Sequence, residues 1–259
     1  MTREFANTEL SFGIAYGDQH SQFLKEQVKK MSELGLMGMM IPKEWGGSGF
    51  NTTSHVLAIE EIVSVELVTS TIMSVNNSLV CQVLLDWGNR DQKNKFFKPL
   101  ARGEKLGVYS LSEPQSGSVA RNMKTFAKKN GNKYIINGTK NRVTTGQSSD
   151  LVICFCLTKK EDKRKNISCF IIDKNSPGLK TGKKKGKLEI RASETCELYF
   201  DNYIIPESSL LGFEGKCFQI AMNAFSSGRI GIAAQAVGIA RYALEKSISY
   251  SKKRKQHVN

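Results

Sequence analysis

Tyr109-Ser110-Leu111-Ser112-Glu113-Pro114-Gln115-Ser116-Gly117-Ser118 reads as a strand that halts at a proline and then turns through a Gly-Ser pair. Proline has no N–H for a sheet ladder, so the strand stops before it. The turn that follows offers backbone N–H groups and two hydroxyls to a polar ligand such as a pyrophosphate. About twenty residues on, Asn137-Gly138-Thr139-Lys140-Asn141-Arg142-Val143-Thr144-Thr145 reads as a tight Asn-Gly turn feeding a β-branched strand.

Around these two segments the sequence keeps a β pattern. Short β-rich runs at 108–111, 134–136, 151–157, 167–172 and 198–200 are parted by Gly, Asn, Pro and Lys turns, which predicts an antiparallel barrel or sandwich. Upstream the period is helical. Phe23, Val28, Met31 and Leu34 fall near helical spacing, 56–65 and 79–87 repeat the pattern, and a short basic helix opening at Asp91 is expected to end at Pro99. Glu44-Trp45-Gly46-Gly47-Ser48-Gly49 has neither a following Lys-Ser/Thr nor a GxGxxG spacing, so a connection between helices is favoured over a phosphate cradle. Downstream, Ile230, Ala233, Ala234, Val237, Arg241, Leu244 and Ile248 mark one face of a helix, and Gly231, Ala234 and Gly238 leave room for a second helix. The fold class is therefore α+β and multidomain: an N-terminal helical domain over 1–104, a central antiparallel β-barrel or sandwich over 105–206, and the start of a C-terminal helical bundle over 207–259.

Composition narrows the function classes. With 259 residues and 40% hydrophobic content the chain is long enough for a sizeable core. No uninterrupted apolar run approaches the roughly 20 residues of a membrane span, and the opening Met1-Thr2-Arg3-Glu4-Phe5 lacks the blocks of a signal peptide, so no membrane association is expected. Six cysteines lie mostly in apolar stretches without a CxxC pair, which points to reduced core residues; three scattered histidines suggest no metal cluster. The net charge of +14 is concentrated in 159–165 and 180–187, readable as solvated hairpin tips or as a positive rim for a phosphate-rich ligand. Nucleic acid is disfavoured, because no aromatic stacking pattern accompanies the lysines.

The quoted segments resemble the acyl-CoA dehydrogenases, and the resemblance runs over about residues 3–254. It is most like the short-chain, butyryl-CoA type, on Ile72-Met73-Ser74-Val75-Asn76-Asn77-Ser78-Leu79, Leu111-Ser112-Glu113-Pro114, Asn137-Gly138-Thr139-Lys140 and Gly228-Arg229-Ile230-Gly231-Ile232-Ala233. The resemblance implies FAD as cofactor, held by Tyr109, Ser110, Leu111, Ser112, Gly117, Ser118, Arg142, Val143 and Thr144, with Arg254 reaching the FAD pyrophosphate of a neighbouring subunit in a homo-oligomer. It implies an acyl-CoA substrate met by Ser118, Ser226 and Arg229, and electron-transfer flavoprotein as electron acceptor. Mitochondrial matrix or bacterial cytoplasm follows as the compartment. Three residues depart from the family pattern: Arg142 stands for a tryptophan stacked on the flavin, Val119 for an aspartate, and Ser226 for an acidic residue. Without the resemblance, Ser112, Ser118 and Thr144 read as turn-capping hydroxyls.

Removing the α proton of a thioester requires a carboxylate base. The family's glutamate belongs to a final helical region that this chain is expected to lack, so no catalytic residue is assigned, and Glu113 is expected to fix its turn instead. Two readings stay open: a flavin-dependent α,β-dehydrogenase of short-chain acyl-CoA thioesters, or a catalytically dead truncated paralogue that partners a full-length enzyme.

Overall fold

A computed structural model describes residues 1–11, 14–159 and 166–256. The N-terminal part is built from helices, chiefly Lys25–Glu33, Thr52–Val63 and the run Leu67–Trp87. Asn51 starts the second of these by accepting the Ser54 N–H at 2.9 Å, which satisfies a donor that the first turn leaves free. The run Leu67–Trp87 has the length and composition of a membrane span, yet 72% of its most apolar window is buried inside the protein, as in a core helix. It widens into a π-helix at Val75–Cys81, which turns Asn76 and Asn77 inward. Asn76 Nδ2 donates to the carbonyls of Met37 (2.8 Å) and Leu100 (3.1 Å), and its Oδ1 accepts from Gly107 N (3.3 Å), tying the helical layer to the first strand.

The helix expected to end at Pro99 continues through Lys98–Ala101. The preceding Lys93–Phe97 is π-helical, so Pro99 enters the first turn of a new α-segment, where its missing N–H is not required.

The β domain contains β1 (Gly107–Ser110), β2 (Phe126–Asn130), β3 (Lys133–Val143), β4 (Leu151–Leu157), β5 (Ile167–Asp173), β6 (Leu179–Thr181), β7 (Cys196–Pro206) and β8 (Leu210–Leu211). They form one sheet in the order β6-β7-β3-β2-β4-β5-β8, with β1 beside β4. Pairing is antiparallel except for β1 with β4 and a single β2–β4 pair. The sheet is open, so the expected barrel or sandwich does not take the form of a closed barrel. β4 is buried along its whole length: Val152, Cys154 and Cys156 face one core cluster, and Leu151, Ile153 and Phe155 face another shared with the helices.

Asn137-Gly138 is not the hairpin turn that the sequence suggests. β3 runs straight through it, and the turn is made earlier at Gly131 (φ 59°), between the paired Asn130 and Lys133. Gly138 sits at a bulge with φ 145°, where a Cβ would lie 2.6 Å from Thr125 Cα. Close backbone approach, not chain reversal, is what this glycine permits. Of the two lysine-rich segments, 160–165 lies outside the described residues. The loop after β6 is fastened down instead of standing free in solvent: Lys184 donates to the Ser21 carbonyl, Lys187 to the Ser193 carbonyl at 2.8 Å, and Lys185 pairs with Glu197 at 2.8 Å.

The last element is the 36-residue helix Phe218–Lys253. Its packed face is the small-residue one: a Cβ on Gly231 would meet Ser74 Oγ at 2.3 Å, and one on Gly238 would meet Val63 Cγ1 at 2.4 Å. Ile230, Val237, Leu244 and Ile248 are exposed.

Candidate active site

The end of β1, the turn after it and the N-terminal half of the last helix enclose a cavity of about 550 Å³. Its walls include Leu111, Ser112, Gly117, Ser118, Val119, Arg121, Phe218, Met222, Phe225 and Arg229. A smaller cavity of about 170 Å³ shares Leu111, Ser112 and Phe225, and adds Val75, Leu79, Tyr109, Asn141, Arg142 and Thr144. The shared residues make the two cavities adjoining halves of one trough.

A buried ion pair holds the turn in place. Glu113 accepts from Lys140 Nζ (2.8 Å), Lys124 N (2.6 Å), Thr125 N (3.1 Å) and Gln115 Nε2 (2.7 Å), while Lys140 also donates to the Leu111 carbonyl (3.1 Å). Burial pushes the Glu113 carboxyl up, but Lys140 and the N–H donors outweigh it and hold its pKa below the usual carboxylate value. The residue next to Lys140 adds a strand-like bond, Asn141 N to the Ser112 carbonyl at 2.8 Å. β3 thus grips the segment 111–113 at three successive residues, and Glu113 fixes its turn as the sequence suggests.

The hydroxyls divide into two groups. Ser116 Oγ caps the turn by donating to the Val119 carbonyl at 2.7 Å. Among the described residues no protein group bonds the hydroxyls of Ser112, Ser118 or Thr144, although all three line the trough. Turn capping therefore accounts for Ser116 and leaves those three available to a ligand.

Other expected site residues lie elsewhere. Ser110 Oγ is buried beside the Cys154 thiol, facing the sheet core. Val143 is 1% exposed and packs in the same core, so its side chain forms no part of the trough wall. Ser226 Oγ donates to the Met222 carbonyl (3.2 Å) from an exposed face. Arg254 caps the far end of the last helix, 25 residues beyond Arg229, or roughly 37 Å at the rise of an α-helix. It does not reach the trough of its own chain.

Sequence reasoning passed over Val75, Leu79, Arg121, Phe218, Met222 and Phe225. Phe218, Met222, Phe225 and Arg229 recur at helical spacing, a pattern that could have placed them on one face. The Arg121 guanidinium sits 4.2 Å from the Phe218 ring centroid, and that of Arg229 6.0 Å from Phe225. Among the described residues neither arginine has a carboxylate within salt-bridge distance, no carboxylate lines the trough, and no group of metal-ligating side chains is present.

Helices, an open β domain and a long terminal helix frame the two-part trough. Sequence models of the acyl-CoA dehydrogenase N-terminal, middle and C-terminal domains match residues 1–104, 108–203 and 215–258. The chain is 43% identical over 256 residues to an acyl-CoA dehydrogenase of Bacillus subtilis (strain 168). It is also 43% identical over 256 residues to a short-chain specific acyl-CoA dehydrogenase of Clostridium acetobutylicum. In each case 99% of this chain and 68% of the relative are covered. Butyryl-CoA dehydrogenase from Megasphaera elsdenii superposes with a TM-score of 0.97 at 36% identity, covering 100% of this chain and 68% of that one. The chain belongs to the acyl-CoA dehydrogenase family, oxidoreductases that depend on FAD.

Proposed function

We propose that the smaller half of the trough takes the FAD ring and the larger half a short-chain acyl-CoA thioester, for dehydrogenation between the α and β carbons. The observation that carries this reading is the set of three hydroxyls, on Ser112, Ser118 and Thr144, left without protein partners along one trough. A polar ring edge and a thioester arm supply the acceptors they lack, so the residues present fit the cofactor. When bound, the flavin supplies the hydride acceptor. Thr144 and Ser112 orient the ring by hydrogen bonds, Tyr109 and Leu111 back it, and Gly117 and Ser118 offer the turn to the pyrophosphate and thioester arm. Arg142 covers the position where the family stacks a tryptophan, Arg229 approaches the coenzyme A moiety, and Arg254 serves a neighbouring subunit's FAD in a homo-oligomer. Electron-transfer flavoprotein is the fitting acceptor. The six buried, unpaired cysteines suit a reducing compartment, the mitochondrial matrix or a bacterial cytoplasm.

Among the described residues no carboxylate lines the trough, so no base is assigned to the α proton. Butyryl-CoA-dependent reduction of an electron acceptor by this chain alone is expected to run roughly 10²–10⁴-fold below a family enzyme. A second reading, as a binding partner of a full-length dehydrogenase, is favoured by the exposed apolar residues Ile232, Val237, Leu244 and Ile248 on the last helix. Incubation with FAD followed by desalting tests the first reading. Near one flavin per chain, lost in Ser112→Ala/Thr144→Val, is expected, and a colourless wild-type protein would refute it.

A further inference from the structure

Arg121 is an arginine that the fold does not use. It forms no hydrogen bond or ion pair among the described residues, and its side chain is solvent-exposed at the wall of the larger cavity. Its guanidinium is nonetheless held in one place, 4.2 Å from the Phe218 ring, at the first residue of the 36-residue helix. A cation there is opposed by the positive end of that helix's dipole, and among the described residues no carboxylate lies within salt-bridge distance to offset it. Phe218 lies seven residues, about 10 Å of helix, from Phe225, the residue shared by the two halves of the trough. Leu111, Val119 and Met222 add apolar surface to the same cavity. The larger cavity is thus lined by the hydroxyl-bearing Ser112 and Ser118, by apolar side chains, and by a guanidinium stacked on Phe218 that has no counter-ion among the described residues. A ligand complementary to it offers acceptors to the serine hydroxyls, apolar surface to Leu111, Val119 and Met222, and an anion to Arg121.

We infer that Arg121 binds a phosphate group on the carrier arm of the thioester substrate and so selects phosphorylated carriers over bare thioesters. The inference rests on the reading of the trough as a thioester site. Guanidinium matches phosphate geometry with paired N–H donors, and stacking on Phe218 fixes its plane before the ligand arrives. Phosphopantetheine brings such a group whether it belongs to coenzyme A or to a carrier protein.

Calorimetric titration of the protein with butyryl-CoA, butyryl-4′-phosphopantetheine and butyryl-pantetheine tests this. Arg121→Gln is expected to weaken butyryl-CoA about tenfold, the low end for a charge-assisted contact at an exposed site, and to leave butyryl-pantetheine unchanged. Arg121→Lys, which keeps the charge but not the stacked fork, should recover part of the loss. An equal loss with butyryl-4′-phosphopantetheine supports the inference and places the contact at the phosphate that coenzyme A and carrier proteins share. Loss with butyryl-CoA alone supports it at the nucleotide's phosphates. If Arg121→Gln binds butyryl-CoA as tightly as the wild type, or weakens butyryl-pantetheine equally, the inference is overturned while the thioester site stands. If the wild type binds none of the three, both fall.

Discussion

Lys140 Nζ lies 2.8 Å from Glu113 Oε1, with the two side chains 0% and 2% exposed, and this pair joins β3 to the turn that lines the trough. A charge left alone in such a place has neither water nor a counter-ion. Lys140→Met or Glu113→Gln alone should therefore cost about 3–5 kcal/mol of unfolding free energy. The double variant should cost less than the sum, because it strands no charge. Chemical denaturation of the four proteins measures the coupling, and strict additivity would mean that the pair contributes nothing as a pair.

The same pair sets an acid limit. The folded Glu113 carboxyl titrates below its unfolded value, so its contribution is fully present above the unfolded pKa and disappears as pH falls through the folded one. His55 acts in a higher window. Burial lowers its pKa from 6.5 to about 4, and among the described residues neither ring nitrogen has a hydrogen-bond partner. The unfolded chain therefore binds the extra proton, and stability falls as pH drops from about 6.5 to about 4, by roughly 3 kcal/mol in all. Melting temperature against pH should show this slope in the wild type and lose it in His55→Leu. An unchanged slope in the variant would exclude His55 as its source.

Arg142 is exposed, lines the smaller half of the trough, and has a left-handed backbone with φ 55°. A guanidinium facing solvent is screened, whereas the flat apolar area of the family's tryptophan is not replaced. Arg142→Trp is expected to tighten FAD binding by roughly tenfold, the scale of one aromatic stacking contact. Fluorescence titration with FAD reads the change, and an unchanged or larger dissociation constant would show that Arg142 already supplies an equivalent contact.

The succession of helices, β strands and helix was legible because each layer has its own period. The details lost were those decided by tertiary contact. β2 was missed because only Phe126 and Ala127 of its five residues are apolar, the remaining Lys-Lys-Asn being exposed. Asn137-Gly138 carries the composition of a hairpin turn but serves a bulge pressed against Thr125. In the site, Ser112, Ser118, Arg142, Thr144 and Arg229 all line the trough. Ser110 and Val143 belong to the same segments, yet their side chains alternate onto the core side of their strands. Val75, Leu79 and Phe218 come from helices whose approach to β1 no local pattern encodes.

The proposed function places flavin and thioester side by side in one trough, through the shared walls of Leu111, Ser112 and Phe225. Titration of the FAD-loaded protein with butyryl-CoA, followed in the flavin's visible absorption band, tests it most directly. A shift of that band that saturates at one thioester per chain and is reduced in Ser112→Ala is expected. Saturable binding of butyryl-CoA by calorimetry with no change in the flavin band would contradict it.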